Sequence, residues 1–214
     1  MKILFVFATH DEAECLKEVN SGAHEVYSLV TGVGCMATAW AMKQWLCGNE
    51  KTELAINAGI AGSFNRDIPV GSVVMPVSDC FADLGIETSS GFVPLSETPF
   101  MPTDKFPFVD GRIICNNKFS EMAGRIIKPV RAVTTNTSTG TETTAEKIRR
   151  LWEPDIETME GAAFFYICSM EKIPFLSLRA ISNMVGPREI NKWDISLALS
   201  NLSDKIKDFL LLID

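Results

Sequence analysis

Five short stretches of this chain carry hydrophobicity that is continuous rather than alternating, and they constrain its architecture more than any other feature. A strand with one face in water alternates apolar and polar residues, whereas a strand covered on both faces reads as a near-unbroken apolar run. Ile3-Leu4-Phe5-Val6-Phe7-Ala8 has that character. It returns in Leu54-Ala55-Ile56-Asn57, Ser72-Val73-Val74-Met75, Val130-Arg131-Ala132-Val133 and Phe175-Leu176-Ser177-Leu178. Between these runs lie helix-like stretches at 11–19, 35–47, 117–127, 143–152, 160–171 and about 191–213. The last sets Ile195, Leu199, Leu202, Ile206, Phe209 and Ile213 at three- and four-residue steps, one apolar stripe along an amphipathic helix. Thr143 with Glu146 fits a capping box, and the run 161–168 is apolar all round, which predicts burial between layers. Strands alternating with helices predict an α/β fold.

A chain of 214 residues reads as a single domain, 1–214, able to bury roughly 70% of the surface its unfolded form exposes. Residues 88–111 break the pattern with four prolines and several aromatics; a loop of that length predicts a functional or interface element. Composition narrows the function classes. Twenty basic against 27 acidic residues give a net charge of −7, which argues against nucleic acid. Six cysteines without a CxxC spacing predict reduced thiols in a cytoplasm. The two histidines, His10 and His24, stand at no zinc-ligand spacing, so neither a metal nor a cofactor is expected. The opening apolar run lands at once on Thr9-His10-Asp11-Glu12 without a small-residue cleavage site; it reads as a central strand rather than a leader, and no membrane partner is expected.

Three segments carry candidate chemistry. Gly32-Val33-Gly34-Cys35-Met36-Ala37 matches the dinucleotide fingerprint G-x-G-x-x-A, but it follows the second strand, and the acid about 20 residues on, Glu53, precedes a strand instead of ending one. The glycines read better as closing a turn into a helix. Asn57-Ala58-Gly59-Ile60-Ala61-Gly62 is expected to be a loop offering bare backbone amides at a strand's C-terminal end. Finally, Ile156-Glu157-Thr158-Met159-Glu160-Gly161 precedes Leu178-Arg179-Ala180-Ile181-Ser182-Asn183 by one apolar run. A carboxylate opening a buried helix, with Arg, Ser and Asn ending a buried strand, brings polar groups to one mouth of the sheet, where small polar ligands bind.

Together these segments resemble the nucleoside phosphorylase and nucleosidase superfamily, over nearly the whole chain. Within it the likeness is to the methylthioadenosine/S-adenosylhomocysteine nucleosidases and, more specifically, to the futalosine hydrolases of the menaquinone route. Ile56 to Phe64, Phe81 to Gly85, Asn136 to Glu142 and Arg179 to Arg188 carry it. The resemblance implies a twisted mixed central β-sheet, partly barrel-like and flanked by helices in three α/β/α layers. The implied activity is hydrolysis of a purine nucleoside's N-glycosidic bond, with hypoxanthine leaving.

The roles it implies follow by residue. Glu12 would activate water, and burial would have to raise its pKa from about 4.3 for that work, while a nearby Arg179 would lower it. The competing structural reading makes Asp11-Glu12-Ala13-Glu14 a solvated helix start. Glu160 would accept hydrogen bonds from the ribose hydroxyls; structurally, an acid in a first helical turn is favourable anyway. Asn183 stands where adenine-releasing relatives keep an aspartic acid. An amide can donate to and accept from a 6-oxopurine but has no proton to give, which disfavours adenine. Arg179 would orient the carboxylate and water, and Arg188 would reach the substrate's distal carboxylate. Met159, Ser182, the backbone of Gly59, Ile60 and Ala61, and the Ser138-Thr139 pair would line the nucleoside. Phe81, Phe164 and Trp193 are candidates to stack on the base. An adenine-specific nucleosidase, an oxopurine phosphorylase and a non-catalytic nucleoside binder remain the alternatives. Relatives assemble, so a homodimer or homotetramer is implied, with 88–111 as the candidate shared loop.

Overall fold

The protein is seen here in a computed structural model that describes residues 1–17, 19–48, 52–101, 103–187 and 193–214. Strand β1 (Lys2–Phe7) forms where the first apolar run predicts it, and every residue from Ile3 to Phe7 is at most 1% exposed. Both faces are therefore covered, as continuous hydrophobicity demands. β1 pairs in parallel with β2 (Glu25–Val30) on one side and β3 (Leu54–Ser63) on the other. The remaining strands are β4 (Val73–Asp79), β5 (Gly85–Thr88), β6 (Gly91–Pro94), β7 (Phe108–Val109), β8 (Arg112–Ile114), β9 (Lys128–Thr134), β10 (Ile156–Thr158) and β11 (Phe175–Met184).

The sheet order is β2-β1-β3-β10-β9-β4-β8-β7, and β11 joins β3 to β4 off that path. β3, β10, β9, β4 and β11 thus close into a ring, antiparallel where β10 meets β3 and where β11 meets β4. Ala61, Val74, Val130, Ala132, Ile156 and Ile181, drawn from all five strands, pack together as the ring's own apolar cluster. The expected mixed, partly barrel-like sheet is what forms.

Helices α1 (His10–Ala13), α2 (Cys35–Gly48), α3 (Lys118–Ala123), α4 (Glu142–Trp152), α5 (Gly161–Met170) and α6 (Ile195–Ile213) flank it. α6 buries Leu202, Ile206 and Phe209 completely, but Ile195 at its start is 42% exposed, so the predicted stripe holds from the second turn on. In α5, Phe164 and Phe165 meet Phe175 edge-on.

Several boundaries differ from the sequence expectation. Residues 57–63 are strand rather than loop, because β11 pairs along their length and ties up their backbone. β10 was not anticipated: three residues carry no period, and its neighbours on both sides make it a strand. The 11–19 helix shrinks to α1 plus a 3₁₀ turn at Glu14–Leu16, and the 117–127 helix to α3 with Asn117 as its cap. Helix α4 is capped by Thr141, which accepts from Thr144 N at 3.2 Å, and not by Thr143. The long loop at 88–111 contains part of the β5–β6 hairpin, a 3₁₀ turn and β7. The predicted start of the last helix at 191 lies outside the described residues.

Candidate active site

Charged side chains from two elements converge on Gly59, in the middle of β3. Parallel pairing sets Arg179 of β11 directly beside Gly59. Glu12 arrives from α1, which follows β1 after two residues. A Cβ added at Gly59 would collide with Glu12 Oε1 and stand 2.8 Å from Arg179 Nη1. Only glycine leaves room for both.

Glu12 is 5% exposed and sits in a capping box: Thr9 Oγ1 accepts from Glu12 N at 3.2 Å, while Glu12 Oε2 accepts from Thr9 N at 3.1 Å. Oε2 also takes Ala8 N at 3.0 Å and the Thr9 hydroxyl at 3.3 Å, and Oε1 takes Ile60 N at 2.9 Å. Asp11 and Glu14 of the same segment are exposed. The solvated helix-start reading holds for Asp11 and Glu14, whereas Glu12 caps the helix with its carboxylate buried.

Arg179 is 1% exposed. Its Nε donates to Ser177 Oγ at 3.2 Å, its Nη2 to Asn57 Oδ1, and its Nη1 lies 3.8 Å from Glu160 Oε2. Glu160 Oε1 accepts from Gly34 N at 3.0 Å. The glycine-rich loop that resembles a dinucleotide fingerprint thus turns an amide at the start of α2 toward the chain's own carboxylate, the partner such an N-terminus favours. Burial pushes the Glu160 carboxyl above its ordinary pKa; Arg179 and the Gly34 amide pull it down, and Glu12 adds to the rise.

Asn183 follows a β-bulge between Ile181 and Asn183, where β11 slips against β3 so that Asn183 pairs with Gly62. Its Oδ1 accepts from the Ser182 hydroxyl at 2.9 Å and its Nδ2 donates to Met184 O at 3.1 Å. It lies four residue steps beyond Arg179, a span of about 13 Å that the bulge shortens. Ser182 is buried and also lies 3.4 Å from Ala61 O. Met159 accepts the Cys35 thiol through its carbonyl at 3.6 Å.

Ser138 and Thr139 lie on the Asn183 side of this cluster, since Glu157, which holds Thr139, pairs with the same Gly62 that Asn183 does. They line a cavity of about 760 Å³ with Asp83, Phe92 and Lys147. Glu157 holds Thr139 there, accepting from its amide at 2.9 Å and from its hydroxyl. Phe164 is wholly buried in the core and drops out as a stacking partner, whereas Phe81 is half-buried. Arg188 lies outside the described residues.

Sequence reading missed four contributors: Gly34, Ser177, Asp79 and Thr134. Ser177 was within reach, since a hydroxyl two residues before a strand Arg shares its face. Asp79 gave no signal, yet it is 1% exposed, and burial pushes its pKa up to about 7 against the pull of Arg112, the Thr134 hydroxyl, the Cys80 amide and Arg179. Burial likewise raises the Cys35 thiol to about 12, so at neutral pH it is no thiolate. Among the described residues no group of His, Cys, Asp and Glu is placed to hold a metal, and no helix is long and apolar enough to cross a membrane.

A mixed sheet closed into a five-strand ring, with Glu12 and Arg179 sharing the space over a strand glycine and Glu160 beside that arginine, defines a class: the chain belongs to the phosphorylase superfamily, whose family model matches residues 10–212. Within that class it is similar to futalosine hydrolase of Streptomyces coelicolor, at 33% identity over 83% of this chain and 75% of that protein. Among solved structures it resembles a 5′-methylthioadenosine/S-adenosylhomocysteine nucleosidase from S. pneumoniae, with a TM-score of 0.83, 19% identity and full coverage of both chains. It also resembles futalosine hydrolase of Helicobacter pylori strain 26695, with a TM-score of 0.81 and 14% identity over 98% of this chain and 97% of that one.

Proposed function

We propose that this protein is a nucleosidase that hydrolyses the N-glycosidic bond of futalosine, releasing hypoxanthine, within menaquinone synthesis in the cytoplasm. The observation that carries hydrolysis is the placement of the Glu12 carboxylate. It occupies Ala8 N and Thr9 N, backbone amides at the end of β1 that could otherwise hold an anion such as phosphate.

In this reading the C1′–N9 bond breaks through an oxocarbenium-like sugar, its electrons leave with the purine, a water oxygen bonds to C1′, and the purine anion takes a proton from solvent, to which Glu12 returns the one it accepts. Glu12 takes the water's proton from its position at Gly59. Glu160 binds the ribose hydroxyls, and Arg179 holds the carboxylates apart in fixed orientation. Asn183, polarised by Ser182, reads the keto oxygen and ring nitrogens of the departing oxopurine. Met159, Ile60 and Ala61 line the sugar and base, Ser138 and Thr139 close the base side, and Arg188 meets the distal carboxylate. The 33% identity to a futalosine hydrolase and the amide at 183 both favour hypoxanthine over adenine.

Assembly belongs to the same proposal. Met36 and Trp40, one helical turn apart on α2, are 86% and 67% exposed beside Val33, an apolar face suited to a second copy. A homodimer or homotetramer would bring such a face and the 88–111 segment against a neighbour.

The test is free hypoxanthine released from futalosine with and without phosphate. Equal rates are expected, and dependence on phosphate would mean a phosphorylase instead. In single turnover, Glu12→Gln should slow release by at least about a thousand-fold. Adenine release from methylthioadenosine at a comparable or higher kcat/KM would refute the choice of futalosine.

A further inference from the structure

We propose that Asp79 is a positioning residue for Glu160: acting through Thr134 and Thr158, it caps the first turn of α5 and leaves the Glu160 carboxylate free to face the nucleoside. The inference rests on the reading of Glu160 as the ribose-binding acid.

Glu160 occupies the N-cap of α5, where an acidic side chain ordinarily accepts the helix's own first amides. Here it makes no such bond. The amides are satisfied elsewhere: Gly161 N donates to Thr158 Oγ1 at 3.2 Å, and Ala162 N donates to Thr134 Oγ1 at 2.8 Å. The two hydroxyls are 3.1 Å apart, and Thr134 Oγ1 lies 3.0 Å from Asp79 Oδ1. A hydroxyl has one proton to give and two lone pairs. Asp79, with Oδ1 also taking Cys80 N at 2.8 Å, is the acceptor at the end of the row. Protons therefore run from Thr158 to Thr134 to Asp79, and each amide meets a lone pair. Asp79 Oδ2 lies against the bare Cα of Gly161, where any side chain would strike it. That contact gives the glycine after Met159-Glu160 its reason.

The charged and titratable groups facing Asp79 are Arg112 from β8, Arg179 from β11, Cys35 on α2 and Cys80 beside it in the chain. Burial raises the Asp79 carboxyl to about 7, so its charge is present only on the alkaline side of neutrality. Its capping oxygen accepts in both states.

The experiment measures kcat and KM for futalosine against pH in Asp79→Asn, Asp79→Ala, Thr134→Val and Thr134→Ser, with amide hydrogen exchange at Gly161 and Ala162. Asp79→Ala and Thr134→Val should lose about ten-fold or more in kcat/KM and exchange these amides faster. Asp79→Asn, which keeps an accepting oxygen, and Thr134→Ser, which keeps the hydroxyl, should stay within about three-fold of wild type. The step near pH 7 in the wild-type profile should vanish in Asp79→Asn. Unchanged kcat/KM in Asp79→Ala, or equal impairment in the Asn and Ala variants, overturns the proposal. If Asp79→Ala does not fold, the Thr134 pair decides by the same contrast. A wild-type protein inert toward futalosine would sink the substrate assignment alone; the exchange rates would still support or overturn the relay.

Discussion

Gly59 is where two charged side chains share one bare Cα. Gly59→Ala places a methyl against Glu12 Oε1 and Arg179 Nη1, and displacements near 1 Å in a site cost about a hundred-fold in rate. We expect kcat/KM to fall by that factor with the circular dichroism spectrum retained; wild-type turnover would show that the gap has no function. Asp79 makes a second prediction, on stability. Its folded pKa of about 7 lies above the ordinary 3.8. Between those values the folded protein holds a proton that the unfolded chain has released, so stability falls as pH rises through that window. Asp79→Asn removes the slope. It should gain on the order of a few kcal/mol over wild type in urea unfolding at pH 8 relative to pH 5, and parallel pH profiles would contradict the assignment.

Elements here are held by end chemistry as much as by propensity. α1 is a single turn that persists because Thr9 and Glu12 cap each other. α6 carries the large core, and Asp194 caps it by accepting from Leu197 N at 2.9 Å. Asp194→Ala should cost about 1 kcal/mol of stability while leaving kcat/KM unchanged, since α6 packs on the outside of β3, β4 and β11. A fall in kcat/KM without loss of stability would instead tie that cap to the site. The bulge in β11 has the opposite character: it gives up ladder regularity to set Asn183 beside Gly62 rather than one residue further on.

For the whole molecule, ring closure through β11 places Arg179 between β3 and β4 and sets it beside Gly59, 120 residues earlier in the chain. The exposed face on α2 lies next to the Gly34 loop that holds Glu160. Trp40→Glu should therefore shift sedimentation toward a single copy and weaken turnover together; an unchanged sedimentation profile would move the interface elsewhere. The α/β class, the five runs as strands, and the segments bearing Glu12, Glu160, Arg179 and Asn183 were legible in the sequence, because hydrophobic runs and motif spacing are local properties; two-sided burial fails in β9, where Arg131 is exposed because that face of the strand reaches solvent. β10, the continuation of β3 through its glycines, the use of Gly34 to hold Glu160, and the Asp79–Thr134–Thr158 row were not. Each depends on a partner tens of residues away, and a lone Asp or a three-residue strand looks the same in sequence whether or not that partner arrives. Local pattern settled what would be buried; only ring closure decided which buried polar groups would face one another.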